Sequence, residues 1–174
     1  ALSSAASDVY KRQDILRHRR AQKEDAVWLK KGEEYKDETL SVRAFGSTDV
    51  GVSFLLQASG KKIFHAGDLN NWHWMDESTE AEWKGAEKNF LHELDDLYAY
   101  TPEVDVAMFP VDPRLGKEYM RGAGQFVTKI KTHIFVPMHF TPEYAKANAF
   151  RDFAEAHGVR FVSLTHRGQK IEIE

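Results

Sequence analysis

Phe64-His65-Ala66-Gly67-Asp68-Leu69-Asn70-Asn71-Trp72-His73-Trp74 is the stretch whose reading decides the fold. The run Lys62-Ile63-Phe64 has the composition of a buried strand, and Gly67-Asp68 ends it in a turn. A carboxylate just past the end of a buried strand is a usual place for a metal ligand in α/β enzymes, because a rigid sheet holds a loop that still meets solvent. Ile134-Phe135-Val136-Pro137-Met138 is a second apolar strand, ending on His139, 71 residues after Asp68. Alone, a Gly-Asp pair reads as a self-capping turn and a histidine as satisfied core. Together, at two strand ends, they read as ligands. The start of a helix just after His139 is expected to keep its ring neutral, the state a metal requires.

Composition narrows the chemistry. The 174 residues suffice for one domain with a real core. There is no cysteine, so disulfides, thiolate metal sites and cysteine nucleophiles are excluded, and a transition metal must use His and carboxylate. Net charge is −3 with a pI near 6.3, which provides no basic field for nucleic acid or acidic lipid. No apolar run approaches a membrane span and no secretory signal is visible, so the expected location is the cytoplasm.

Along the chain, residues 1–13 show no strand or helix period and read as a tail that is disordered or foreign to the protein. Val27-Trp28-Leu29 reads as a short strand. Thr39 to Phe45, Val50 to Ala58 and Lys61 to Ala66 read as strands at hairpin spacing, with Ser59-Gly60 as a tight turn. A long helix follows, with Thr79 as N-cap, Glu82 completing a capping box, and a stripe of Trp83, Ala86, Phe90, Leu91, Leu94, Leu97 and Tyr98. Strand and helix then alternate. Val104 to Phe109 is a strand and Tyr119 to Ile130 a helix. After His139 one helix is expected from Thr141-Pro142 to Gly158, then strands at Val159 to Leu164 and Lys170 to Ile173. That order predicts a layered α/β domain.

Other residues are placed to serve a site around Asp68 and His139. His65 reads as a support for it, with plain core as the alternative. Asn70, Trp72 and His73 crowd the same turn. Val111-Asp112-Pro113-Arg114-Leu115-Gly116 is a third strand-end loop, where Arg114 is suited to grip phosphate or carboxylate, or else to pair with Asp112. His92, His133, His157 and His166 read as surface or packing residues. Serine-hydrolase, P-loop and dinucleotide motifs are absent.

From about residue 28 to 140 the chain resembles the carboxyl-terminal half of a metallo-β-lactamase-fold metallo-hydrolase. Three ordered blocks carry the resemblance to a bacterial branch of that family: Gly46-Ser47-Thr48-Asp49-Val50-Gly51-Val52-Ser53-Phe54, Phe64 to Asn70, and Phe109-Pro110-Val111-Asp112-Pro113-Arg114-Leu115. Val136-Pro137-Met138-His139-Phe140 follows them. The resemblance implies an α/β fold, an αββα sandwich, amino-terminally truncated and occupying residues 14–174. It implies two divalent metals, zinc first with manganese or iron as alternatives. Asp68 would bridge them as the central catalytic group, and His139 would bind the second. The implied activity is attack by a metal-activated water on a phosphodiester, ester, lactone or amide.

One departure matters. The family's His-x-His-x-Asp-His motif is absent, and His18, in Arg17-His18-Arg19-Arg20, cannot supply it. Where many relatives place a further histidine ligand this chain has Asp49, a carboxylate able to bind metal. The expectation is therefore a metal-dependent hydrolase that is incomplete and weakly active as it stands, acting on a small anionic or ester-like substrate. The alternative is a non-catalytic anion-binding domain built on the same fold around Arg114 and the Asp68 loop. Neither membrane nor nucleic acid is an expected partner. A sheet face lacking its partner is also expected, exposing apolar residues of the Val50 and Val104 strands.

Overall fold

The computed structural model describes residues 27–172. Seven strands form a single sheet in sequence order: β1 Glu34–Lys36, β2 Leu40–Phe45, β3 Ser53–Ala58, β4 Lys61–His65, β5 Glu103–Pro110, β6 Lys131–Met138 and β7 Arg160–Phe161. The first four pair antiparallel, as short connections require. Ser59 (φ 51°) and Gly60 (φ 75°) make the tight β3–β4 turn, the positive-φ pair a two-residue hairpin needs. From β4 onward every pairing is parallel. Each parallel step passes through helix: α1 Glu80–Tyr100, then α2 Arg121–Lys129, then the short α3 Tyr144–Asn148 and α4 Arg151–Ala156.

Right-handed crossovers that step one way across a sheet put all their helices on one face. They also align the carboxyl ends of β4, β5 and β6 along one edge. This alignment is what positions the site.

The helical face holds the main core. Phe64, Phe90, Phe109, Phe126, Phe135 and Phe150 are fully buried there. Phe126 links the layers, stacking on Phe64 at 5.5 Å between centroids and lying tilted against Phe109 at 4.6 Å. Phe126→Ala should therefore lower unfolding free energy by about 3–5 kcal/mol, measured by urea denaturation. Helix α1 begins as its sequence predicts. Thr79 N–H donates to Glu82 Oε2 (2.8 Å), and Glu82 N–H donates to Thr79 Oγ1 (3.4 Å). Its stripe is realised by buried Phe90, Leu94 and Leu97, while Tyr98 faces solvent.

Several expectations are corrected. Val27 to Leu29 forms no strand, and Val27 and Trp28 are exposed: three apolar residues in a row make a strand only where they pair along a sheet. The polar β1 went unread because its three residues, Glu34, Tyr35 and Lys36, carry no apolar alternation and pair only at the sheet's edge. The expected helix from Thr141 to Gly158 is two short ones. Thr141 is held at φ 50°, where a residue before proline is kept out of the helical region, and the helix starts only at Tyr144. The chain breaks again at Ala149-Phe150, with Phe150 buried in the core. Of Val159 to Leu164 only Arg160 and Phe161 are strand, and Lys170 to Glu172 are not.

On the face away from the helices, Val106, Ile134, Val136 and Val162 are buried, with Ile63, Met108, Leu164 and Ile171 packed against them. Val104 and Val106 are buried and Val50 half-buried, so the expected exposed patch on those strands is not seen. The tail assigned to residues 1–13 and the stretch around His18 lie outside the described residues. Among the described residues no helix is long and apolar enough to cross a membrane.

Candidate metal centre

The site is built on the turn that follows β4. Ala66 N–H donates to the Met108 carbonyl on β5 (2.9 Å), and the Ala66 carbonyl accepts from Leu69 N–H (2.9 Å). Gly67, first in the bend, has φ 58°, where a Cβ would be strained. Its N–H donates to His65 Nδ1 at 3.0 Å. Trp72 Nε1–H donates to the Asp68 carbonyl at 2.8 Å. Asp68 is thus presented by a turn held from both sides.

Across the sheet edge stands His139, just past the end of β6. Its Nε2 lies 3.1 Å from Asp68 Oδ1, and its Nδ1 lies 3.0 Å from Asp112 Oδ2. His139 adopts φ 65°, a left-handed conformation that costs a non-glycine residue about 1–3 kcal/mol and tends to cluster at functional sites. Asp112 is fully buried at the end of β5. It accepts from Arg114 N (3.0 Å), Nε (2.9 and 3.0 Å) and Nη2 (2.5 Å). The Trp72 ring meets the His139 ring edge-on at 5.4 Å.

The electrostatics differ from the helix-dipole expectation. No helix starts at His139, so no dipole holds the ring neutral. The hydrogen bond to Asp68 raises its pKa above the ordinary value against the opposing effect of burial, and Asp112 adds to the rise. Burial pushes the Asp112 carboxyl up, but the hydrogen bonds from Arg114 and His139 outweigh it and hold the group below the usual range.

The donor set fits a cation. Two ligands at 2.0–2.1 Å from one tetrahedral centre lie about 3.3 Å apart, close to the 3.1 Å between Nε2 and Oδ1. Asp112 behind Nδ1 is the carboxylate that usually orients a metal-binding imidazole. Among the described residues no group of three or more His, Asp or Glu is placed to hold one metal ion, so neither Asp112 nor Asp49 completes a three-ligand set with this pair. Asp49 is exposed in its turn. Its field, after the Asp112 hydrogen bond, helps raise the Arg114 pKa.

The other residues singled out in the sequence lie elsewhere. Asn70 is buried, its N–H on Thr48 Oγ1 (3.0 Å) and its Oδ1 accepting from Asn71 N–H (2.9 Å). It packs where Gly122 brings the start of α2 against the loop, an approach that leaves no room for a Cβ. His73 is buried too, with Nδ1 accepting from Met75 N–H (3.1 Å) and Nε2 on the Glu118 carbonyl (3.1 Å). The structure therefore brings Asp68, His139, Asp112, Arg114 and Trp72 together, and places Asn70 and His73 in the support of the loop.

One supporting cluster was not read in the sequence. Asn71 Nδ2 donates to Glu87 Oε2 and Gln125 Oε1 (2.9 Å each), and Glu87 pairs with Arg121 at 2.5 Å. These bonds tie the site loop to α1 and α2. Only Asn71's place beside Trp72 hinted at it, since polar residues on helices ordinarily read as solvated faces. The Arg121 hydrogen bond holds the Glu87 pKa at about 2, against an ordinary 4.5 and despite partial burial. A depressed carboxylate stabilises the fold fully above its unfolded pKa, and the gain is lost as pH falls through the folded value. Stability should therefore fall more steeply between pH 4.5 and 2 in the native chain than in Glu87→Gln, as followed by thermal melts.

No protein-family model and no curated protein sequence matches the chain. Solved structures do. Igni18, a metallo hydrolase from the archaeon Ignicoccus hospitalis, is 16% identical with a TM-score of 0.55, over 88% of this chain and 70% of its own. A protein assigned as a metal-dependent hydrolase from Parabacteroides distasonis is 16% identical with a TM-score of 0.53, over 77% of this chain and 55% of its own. CmlA, a diiron β-hydroxylase from Streptomyces venezuelae, is 12% identical with a TM-score of 0.51, over 80% of this chain and 33% of its own. The chain thus spans about half the length of the Parabacteroides protein and a third of CmlA. At such identities the likeness is one of fold. The fold is the one the chain shares with Igni18 and the Parabacteroides protein, and the described residues form one sheet with its helical layer.

Proposed function

We propose that Asp68 and His139 hold a divalent cation and that the chain carries part of the centre of a metal-dependent hydrolase. The observation that supports this most is the 3.1 Å approach of His139 Nε2 to Asp68 Oδ1, with buried Asp112 behind the ring. When bound, such a cation supplies Lewis acidity and lowers the pKa of a water to about 7. The chain's own residues do the rest. Asp112 would accept a hydrogen bond from Nδ1–H, fixing the tautomer in which the Nε2 lone pair faces a cation held with Asp68. Arg114 neutralises Asp112. Asp68 keeps a second oxygen suited to bridging a further cation, and Trp72 walls one side.

Zinc suits the nitrogen and oxygen donors, and manganese or iron remain in the same reading. The substrate class we propose is a small anionic or ester-like molecule, such as a phosphodiester, ester, lactone or amide. A cytoplasmic location belongs to this reading and rests on composition alone. The anion-binding alternative loses ground because Arg114 commits Nε and Nη2 to Asp112.

Two protein ligands hold zinc weakly. Calorimetric titration of the chain with zinc should give weak, chelator-reversible binding that disappears in His139→Ala. Inorganic phosphate without metal should give no heat. Phosphate binding that depends on Arg114, with no zinc binding, would select the alternative.

A further inference from the structure

Among the described residues the His65 ring hydrogen-bonds to neither Asp68 nor His139, yet its hydrogen bonding is unusual. It sits on β4 opposite Phe54 on β3 and Met108 on β5, and is only 5% exposed. Its Nδ1 accepts from Gly67 N–H at 3.0 Å. A ring nitrogen that accepts carries no proton, so the neutral ring has its proton on Nε2. That Nε2 is buried and has no hydrogen-bond partner among the described residues. An unpaired buried N–H costs about 1–3 kcal/mol. An apolar side chain would fill the position without that cost, so what the imidazole offers here is its other nitrogen.

We infer that His65 is a positioning residue: as the Nε2–H tautomer it clamps the Gly67 amide and thereby fixes the turn that aims the Asp68 carboxylate at His139. The need for a clamp follows from Gly67 itself. Glycine reaches φ 58° without strain but reaches other conformations equally well. Without an acceptor for its N–H, the Ala66–Gly67 peptide is held only through the Ala66 carbonyl's bond from Leu69 N–H, and the carboxylate loses its register with His139. Backbone hydrogen bonds hold Ala66 and Leu69 on either side, which leaves Gly67 N–H as the link that a side chain supplies. Burial lowers the His65 pKa, which keeps Nδ1 free to accept at neutral pH. The functional consequence rests on the cation reading of Asp68 and His139, whereas the clamp is a statement about the turn alone.

The two parts can be tested separately in the full 174-residue chain. His65→Asn places an amide oxygen where Nδ1 stands. His65→Gln places its amide nearer Nε2, and His65→Leu offers no acceptor. Long-range proton–nitrogen spectra of the imidazoles should show His65 neutral with its proton on Nε2. Gly67 amide exchange should be slow in the native chain and His65→Asn, and at least about tenfold faster in His65→Gln and His65→Leu. Cobalt affinity should follow the same order, falling about tenfold without the acceptor and recovering in His65→Asn. Should His65→Leu fail to fold, the Asn–Gln contrast decides alone. A proton on Nδ1, or unchanged Gly67 exchange in His65→Gln, overturns the clamp. If the exchange pattern holds while Asp68→Ala binds cobalt as the native chain does, the clamp stands and the cation reading falls.

Discussion

Asp68→Ala is expected to weaken zinc or cobalt binding by about 100-fold, roughly 2.8 kcal/mol. The substitution removes one of two donors and the negative charge that offsets the cation. The fold should survive, because the Asp68 side chain is not fully buried and, among the described residues, its one side-chain bond is to His139. Asp68→Asn separates the two contributions: it retains an oxygen at nearly the same place but loses the charge, and should bind more weakly than the native chain. Calorimetry or the cobalt visible spectrum reads the result. Native-like affinity in Asp68→Ala would show that the turn after β4 is not the centre of the chemistry.

Asp112→Asn is the second large effect, and it acts through another residue. Asp112 is fully buried, so its charge is tolerated only because Arg114 and His139 Nδ1 bond to it. An amide can satisfy some of these donors but carries no charge. Cation affinity should fall about 10–100-fold, the usual consequence of losing a carboxylate behind a metal-binding imidazole. Unfolding free energy should fall by about 1–3 kcal/mol, limited because the Arg114 side chain is more than half exposed and can rehydrate. Chemical denaturation and calorimetry on one preparation separate the two losses. By the same bonds, Arg114→Ala should disturb Asp112 and lower cation affinity. Of the two roles the sequence leaves open to Arg114, this follows from the pairing with Asp112 and not from the grip on an anion.

The parts of the fold legible in the sequence are those with local causes. The Thr79–Glu82 capping box, the apolar stripe of α1, the Ser59-Gly60 turn and the apolar strands β3 to β6 are each set by residues within a few positions of one another. Elements whose existence depends on a partner were misread. The edge strand Glu34–Lys36 forms because β2 offers it a free side, whereas Val27 to Leu29, apolar as it is, pairs with no strand among the described residues. The break at Ala149-Phe150 was hidden because helix-compatible residues flank it, and the pull of Phe150 into the core is a tertiary effect.

The site divides along the same line. Sequence alone determined that a carboxylate and an imidazole close two buried strands, that cysteine chemistry is excluded, and that Gly67 bends the chain before Asp68. Tertiary structure alone decided the rest. Parallel pairing of β4, β5 and β6 set Asp68, Asp112 and His139 at one edge, gave Arg114 to Asp112, turned His73 and Asn70 inward, and aimed His65 Nδ1 at Gly67. Strand composition reports that a side chain will be buried or will sit at a strand's end. Which other end lies beside it is fixed by sheet order and crossover hand, and these are properties of the whole packed chain.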